Sequence, residues 1–190
     1  MSETAPRPPR LRAFVALELD PDLRARIAGL IADLRRTIPD VRWARPESLH
    51  VTVRFLGWSA ATALVELQGP LAEAAARCPP CTAPVRELGM FPPRGAPRVL
   101  WLGIELPSPI AALQRECERA AVAVGFPPEP RPFRAHLTLG RWSKPARRPP
   151  LLPVDLGTAR LERLVLFRSE PRREGAVYTP LAAFPLGGGG

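Results

Sequence analysis

Histidine is nearly absent from this chain: two occur in 190 residues, at positions 50 and 136. Any chemistry that needs an imidazole near neutral pH, or imidazole ligands for a metal, rests on that pair. Lysine is scarcer still, with Lys144 alone, so positive charge is carried by arginine. Three cysteines cannot close a disulfide framework, and the expected compartment is a reducing cytoplasm. No apolar run approaches the roughly 20 residues of a membrane span. The start, Met1 to Arg10, is rich in Pro and Arg and lacks the apolar core of a secretory signal. No Gly-rich phosphate loop occurs, so use of ATP is not indicated.

What is present is globular. Apolar residues make up 46% and charged residues 24%, a balance that supports one packed domain. Twenty-seven basic residues against 18 acidic ones leave a formal charge of +9. An excess of guanidinium groups favours polyanionic ligands, because Arg grips phosphate as a bidentate fork. The ends, 1–10 and 187–190, read as disordered tails around a single bilobal domain over 11–186.

Strand and helix signals alternate. Apolar runs predict strands at Arg12–Leu19, Val41–Arg45, Leu49–Leu56, Thr82–Met90, Arg98–Leu106, Phe133–Arg141, Arg160–Phe167 and Ala176–Phe184. Asp20-Pro21 is a cap followed by Pro at the first helical position, opening a helix over 21–38. Ser108-Pro109 repeats the device before a helix marked by Ile110, Leu113, Cys117 and Ala121. A helix over 60–77 is expected to kink or break at Gly69-Pro70. A Pro- and Arg-rich linker covers Lys144–Pro153. Glu18, Pro21 and His50 recur as Glu105, Pro109 and His136 at nearly constant offset. One strand–helix–strand unit is thus used twice, with equivalent residues facing one another across a cleft.

Both histidines stand in one pattern, apolar-His-apolar-Thr-apolar: Leu49-His50-Val51-Thr52-Val53 and Ala135-His136-Leu137-Thr138-Leu139. With so few Thr in the chain, chance gives both matches with a probability of about 0.002. Along a strand, residues i and i+2 share a face about 7 Å apart. Two imidazoles and two hydroxyls on one pocket suit attack at a phosphodiester. One imidazole takes a proton from the nucleophile, the other gives one to the leaving oxygen, and the hydroxyls donate to the non-bridging oxygens. The residues alone do not say which histidine is the acid.

The paired motifs and their surroundings resemble the two-histidine (2H) phosphoesterases, and within them the RNA 2′,3′-cyclic phosphodiesterases, also called 2′-5′ RNA ligases of bacteria and archaea. The resemblance runs from Arg12–Leu17, through Trp43 and Pro46–Gly57, to Phe91-Pro92, Arg98–Trp101 and Phe133–Arg141. It implies an α+β fold of two antiparallel sheets about a central cleft, with helices outside. It also implies hydrolysis of a 2′,3′-cyclic phosphate to a 2′-phosphomonoester without metal or cofactor. His50 is then the proton donor, His136 the acceptor, and Thr52 and Thr138 their partners. The resemblance places a phosphate-binding Arg at Arg141. Simple strand parity instead puts Arg54 and Arg134 on the histidine face, unless a bend at Gly140 turns Arg141 inward.

Other signals are weaker. Phe14 and Trp43 are candidates to stack a nucleobase, whereas parity sends Phe55 into the core. Cys78-Pro79-Pro80-Cys81 has C-x-x-C spacing but too few further ligands for zinc. The expected partner is RNA ending in a cyclic phosphate, or a cyclic nucleotide, with no membrane and the chain a monomer. Ligation, another cyclic-phosphate substrate, and RNA binding without catalysis are the rival readings of the same site.

Overall fold

The computed structural model describes residues 10–172 and 175–187. Nine strands and three α-helices follow in the order β1 (Arg10–Glu18), α1 (Pro21–Thr37), β2 (Val41–Trp43), β3 (His50–Ala60), α2 (Ala61–Ala76), β4 (Cys81–Phe91), β5 (Val99–Ile104), α3 (Ser108–Ala123), β6 (His136–Trp142), β7 (Asp155–Leu161), β8 (Arg163–Glu170) and β9 (Val177–Pro185). A short 3-10 turn, Pro46–Ser48, precedes β3.

All pairings are antiparallel, in the order β7-β4-β5-β6-β3-β1-β8-β9, with β2 beside β6. The fold is α+β, and its two sheets are two wings of one curled sheet. They meet at a single pair, Val51 opposite Leu137. In one wing Glu18 lies opposite His50 and Ala16 opposite Thr52. In the other, Gly103 lies opposite His136 and Trp101 opposite Thr138. The duplication therefore holds in the pairing. The true equivalent of Glu18 is Gly103, however, and not the Glu105 that sequence offsets pick out.

The core forms on the other face of this sheet. Val15, Leu17, Val51, Val53, Leu137 and Leu139 pack there against helix stripes such as Leu23, Ile27 and Ile31 of α1. The Asp20 side chain caps α1 through the Leu23 N–H at 2.9 Å and also accepts from the Arg160 N–H at 2.8 Å. One carboxylate thus starts a helix and ties it to β7.

Several expectations are corrected. Helix α2 runs unbroken through Pro70. Gly69 and Pro70 lie on its exposed side, where the carbonyl freed by Pro reaches water, while the buried stripe Leu64, Leu67, Leu71 continues in phase. Helix α3 is capped by Pro107 with no side-chain hydrogen bond, and Ser108 is already helical. The strand expected over Arg160–Phe167 is two, split at Glu162: β7 belongs to one wing and β8 to the other. Residues 133–135 are not strand. Arg10 opens β1, and the Gly187 N–H bonds the Ala75 carbonyl at 3.1 Å. The remaining tail residues, 1–9 and 188–190, lie outside the described residues.

Candidate active site

His50 and His136 open β3 and β6, flanking the pair that joins the wings. Antiparallel running about Val51 and Leu137 sets each His in register with the other strand's motif Thr. Both imidazoles and both hydroxyls therefore lie on the open face, beside one another on adjacent strands.

The two rings are anchored alike. His50 Nδ1 lies 2.7 Å from the Ser48 carbonyl, and His136 Nδ1 lies 2.7 Å from the Arg134 carbonyl. A carbonyl only accepts, so each Nδ1 carries the proton and each neutral ring leaves Nε2 as the reactive atom. Thr52 Oγ1 sits 3.1 Å from His50 Nε2 and donates to it. Arg24 secures the turn that supplies Ser48, donating to the Leu19, Pro46 and Glu47 carbonyls at 3.1, 3.3 and 3.0 Å.

Burial lowers the His50 pKa to about 4, opposed by the Ser48 carbonyl and reinforced by the charges of Arg24, His136 and Arg141. Burial also lowers His136, with Arg141 acting the same way. Both rings are therefore neutral at pH 7 in the free site. The charge of Arg141 acts on both imidazoles. Among the described residues it has no carboxylate partner.

Arg141 reaches this face through a bulge. Leu100 pairs with Gly140, but Trp101 pairs with Thr138, so Leu139 is an extra residue. Leu139 and Gly140 both turn inward and Arg141 outward. Glycine is required at 140: a Cβ there would come within 2.4 Å of Val41 Cγ1 and 3.1 Å of the Arg42 carbonyl. Strand β3 repeats the device, with Val53 extra between the Val15–Arg54 and Ala16–Thr52 pairs.

That second bulge overturns the parity placement of Arg54. Its side chain points into the core face, and the residue is 6% exposed. Its guanidinium contacts Glu118 at 2.5 Å and Glu129 at 3.8 Å, and donates to the Phe55 carbonyl at 2.5 Å and to the Pro127 carbonyl. Arg54 holds the segment leading into β6 and is not available to a ligand. Phe55, expected in the core, is 49% exposed and shares the face of Phe14.

Phe14 is 3% exposed, so it does not offer a surface to a base. It stacks under His50, with centroids 4.6 Å apart. Trp43 is half-buried against the core. Arg134 is exposed and lines a cavity of about 420 Å³ beside His136, with Phe91, Trp101 and the Arg86–Glu105 ion pair. Two ring partners escaped the sequence reading. Tyr178 stands edge-on to His50 at 5.1 Å, and Phe91 edge-on to His136 at 5.2 Å. Tyr178 is the single Tyr of the chain, but only the pairing of β8 with β9 brings it to β1.

Among the described residues, no group of three or more His, Cys, Asp or Glu is placed to hold a metal ion. Among the described residues, no helix is long and apolar enough to cross a membrane. The three cysteines are free. Burial raises Cys78 and pushes Cys117 up to about 12, which leaves both thiols protonated.

A curled antiparallel sheet that shows two anchored His-x-Thr strands on its open face is the frame of a two-histidine phosphoesterase. The match to known proteins agrees. The family model described as LigT-like phosphoesterase matches residues 17–101 and 104–178, and the chain belongs to that family. The RNA 2′,3′-cyclic phosphodiesterase of Methanothermobacter thermautotrophicus is 32% identical over 184 residues, covering 93% of this chain and 100% of the relative. A protein of the same name from Thermus thermophilus is 33% identical over 188 residues, covering 94% and 91%. The crystal structure of TT0787 of Thermus thermophilus superposes with a TM-score of 0.82 at 32% identity, over 94% of this chain and 99% of that one. Escherichia coli LigT complexed with 3′-AMP gives 0.80 at 25% identity, over 93% and 98%.

Proposed function

We propose that this chain hydrolyses the 2′,3′-cyclic phosphate ends of RNA to 2′-phosphomonoesters, with His50 and His136 as an acid–base pair. One observation carries the reading. Each imidazole is fixed through Nδ1 to a backbone carbonyl two residues back, so both Nε2 atoms are presented on one face. Pure binding of RNA gives no reason for such matched anchoring. The shared name of the relatives points to the same substrate.

In this reading His136 Nε2 takes a proton from water as the oxygen attacks phosphorus. His50 Nε2 gives a proton to the departing 3′-oxygen, and the P–O3′ bond breaks. Thr52 and Thr138 donate to the non-bridging oxygens, and Arg141 balances the charge that builds there. The phosphate itself arms the acid: its negative charge beside His50 favours the imidazolium that burial disfavours in the free site. The residues on this face supply acid, base and charge balance by themselves, so no metal is needed. Three free thiols accord with a reducing cytoplasm, and the chain is proposed to act as a monomer, which light scattering tests.

The test is incubation of the protein with 2′,3′-cyclic nucleotides and cyclic-phosphate-ended oligonucleotides in EDTA, with the products resolved. The expected product is the 2′-phosphomonoester at an undiminished rate. A 3′-phosphomonoester, or a loss of rate that zinc or manganese restores, contradicts the mechanism.

A further inference from the structure

Beyond the histidines, the open face of the β1–β3 pair carries residues that hydrolysis does not use. Trp58 is 61% exposed and Phe55 49%. Residues three apart cannot share one face of a regular strand. They do so here because Ala13 pairs with Gly57 while Phe14 pairs with Phe55, leaving Leu56 extra and buried. Gly57 takes φ of 67°, a left-handed conformation that favours glycine. Trp58 then lies opposite Arg12, on the face of Phe14 and His50.

Two arginines of β1 pair with this end of β3, Arg12 opposite Trp58 and Arg10 opposite Ala60. Arg10 Nη2 donates to the Trp58 carbonyl at 2.7 Å, and Arg12 Nη1 to Ser169 Oγ at 3.0 Å. Each keeps further N–H donors, and neither has a carboxylate partner among the described residues. A large aromatic surface held open to water is unusual on a globular protein. Next to unpaired arginines and continuous with a phosphodiester site, its chemistry fits a polyanion carrying flat, stackable groups.

We infer that Phe55, Trp58, Arg10 and Arg12 form an outer track for single-stranded RNA, along which the body of the substrate lies while its cyclic phosphate end is cleaved. The inference rests on the reading of the histidine site as an RNA-end hydrolase, and it names what that site holds outside the reacting nucleotide. Arg12 lies opposite Trp58 and Glu18 opposite His50, so at about 3.3 Å per residue along β1 Trp58 stands roughly 20 Å from His50, too far for a mononucleotide to touch. Bases stack on the two rings without regard to sequence, and the two arginines meet backbone phosphates.

The track is tested with two readouts. The first is kcat/KM for a cyclic mononucleotide and for a cyclic-phosphate-ended RNA of about ten nucleotides, within the site sizes of single-strand binders. The second is binding of an unreactive RNA of that length, by fluorescence anisotropy over a range of salt. Trp58→Ala is expected to weaken both RNA binding and oligonucleotide kcat/KM by about tenfold, with the mononucleotide unchanged. Trp58→Phe restores most of the loss. Replacing Arg10 and Arg12 together by Ala is expected to flatten the salt slope by roughly 1.4, at about 0.7 per phosphate contact on single strands. Unchanged RNA affinity and salt slope overturn the track and leave the aromatic pair to a protein partner. Equal losses on both substrates also overturn it. If neither substrate is cleaved but Trp58→Ala still weakens RNA binding, the track stands and the proposed hydrolysis falls.

Discussion

His50 is the residue on which the chemistry turns, because its free-site pKa of about 4 is that of a base, while the proposed role is that of an acid. A bound phosphate has to close the gap. Titration of the His50 ring by NMR, with and without a nucleoside 2′-monophosphate, is expected to show its pKa rising on binding. A His50 that stays near 4 in the complex while His136 rises would exchange the two roles. Arginine is the second residue-scale matter. Arg141→Ala removes the charged donor proposed for the reacting phosphate and is expected to lower kcat/KM by about 10- to 100-fold, matching the ~1.5–3 kcal/mol of a charge-assisted hydrogen bond. Arg54→Ala leaves Glu118 without its ionic partner in a half-buried site, while Glu129 keeps Arg131. It is expected to cost about 2–3 kcal/mol of stability, somewhat below the ~3–5 of a fully buried pair, as measured by denaturant unfolding. The sequence shows the paired histidines and threonines plainly, since the pattern is local and repeated. It misplaces Arg54 and Phe55 because each lies just beyond an extra residue, and an extra residue is defined only by the partner strand.

At the scale of elements, the bulges do what the motifs alone do not. The bulge at Val53 sends Arg54 into the core, the one at Leu139 brings Arg141 to the site, and the one at Leu56 turns Trp58 outward. Gly140→Val tests the second. Its Cβ would collide with Val41 Cγ1 and press on the Arg42 carbonyl, so β2 has to leave β6. The expected result is a lower Tm together with a rise in KM resembling that of Arg141→Ala. An unchanged KM in a protein that is merely less stable would show that β2 does not fix Arg141. Helices α1 and α3 are legible from their apolar spacing. The continuity of α2 is not, because whether Pro70 breaks it depends on which side of the helix meets water. The split of β7 from β8 at Glu162 is equally hidden. Glu162-Arg163 interrupts the apolar residues with no Gly or Pro to mark a turn, and only the wing to which each half pairs separates them.

For the whole molecule, two wings built from one strand–helix–strand unit meet at Val51 and Leu137, and the meeting point places one histidine from each. The duplication is visible in sequence through the offset of the two motifs. The shape it produces is not visible, since β4, β7, β8 and β9 fall outside the repeated unit and close the two wings. In the proposed mechanism both histidines, one per wing, serve a single reaction. It is tested most directly by the turnover of a cyclic-phosphate substrate by His50→Ala and His136→Ala, with folding followed by circular dichroism. Each variant is expected to lose about 100-fold or more, as for a missing general catalyst, with the fold intact. Full activity in either folded variant, or loss of activity only in step with loss of fold, would contradict it.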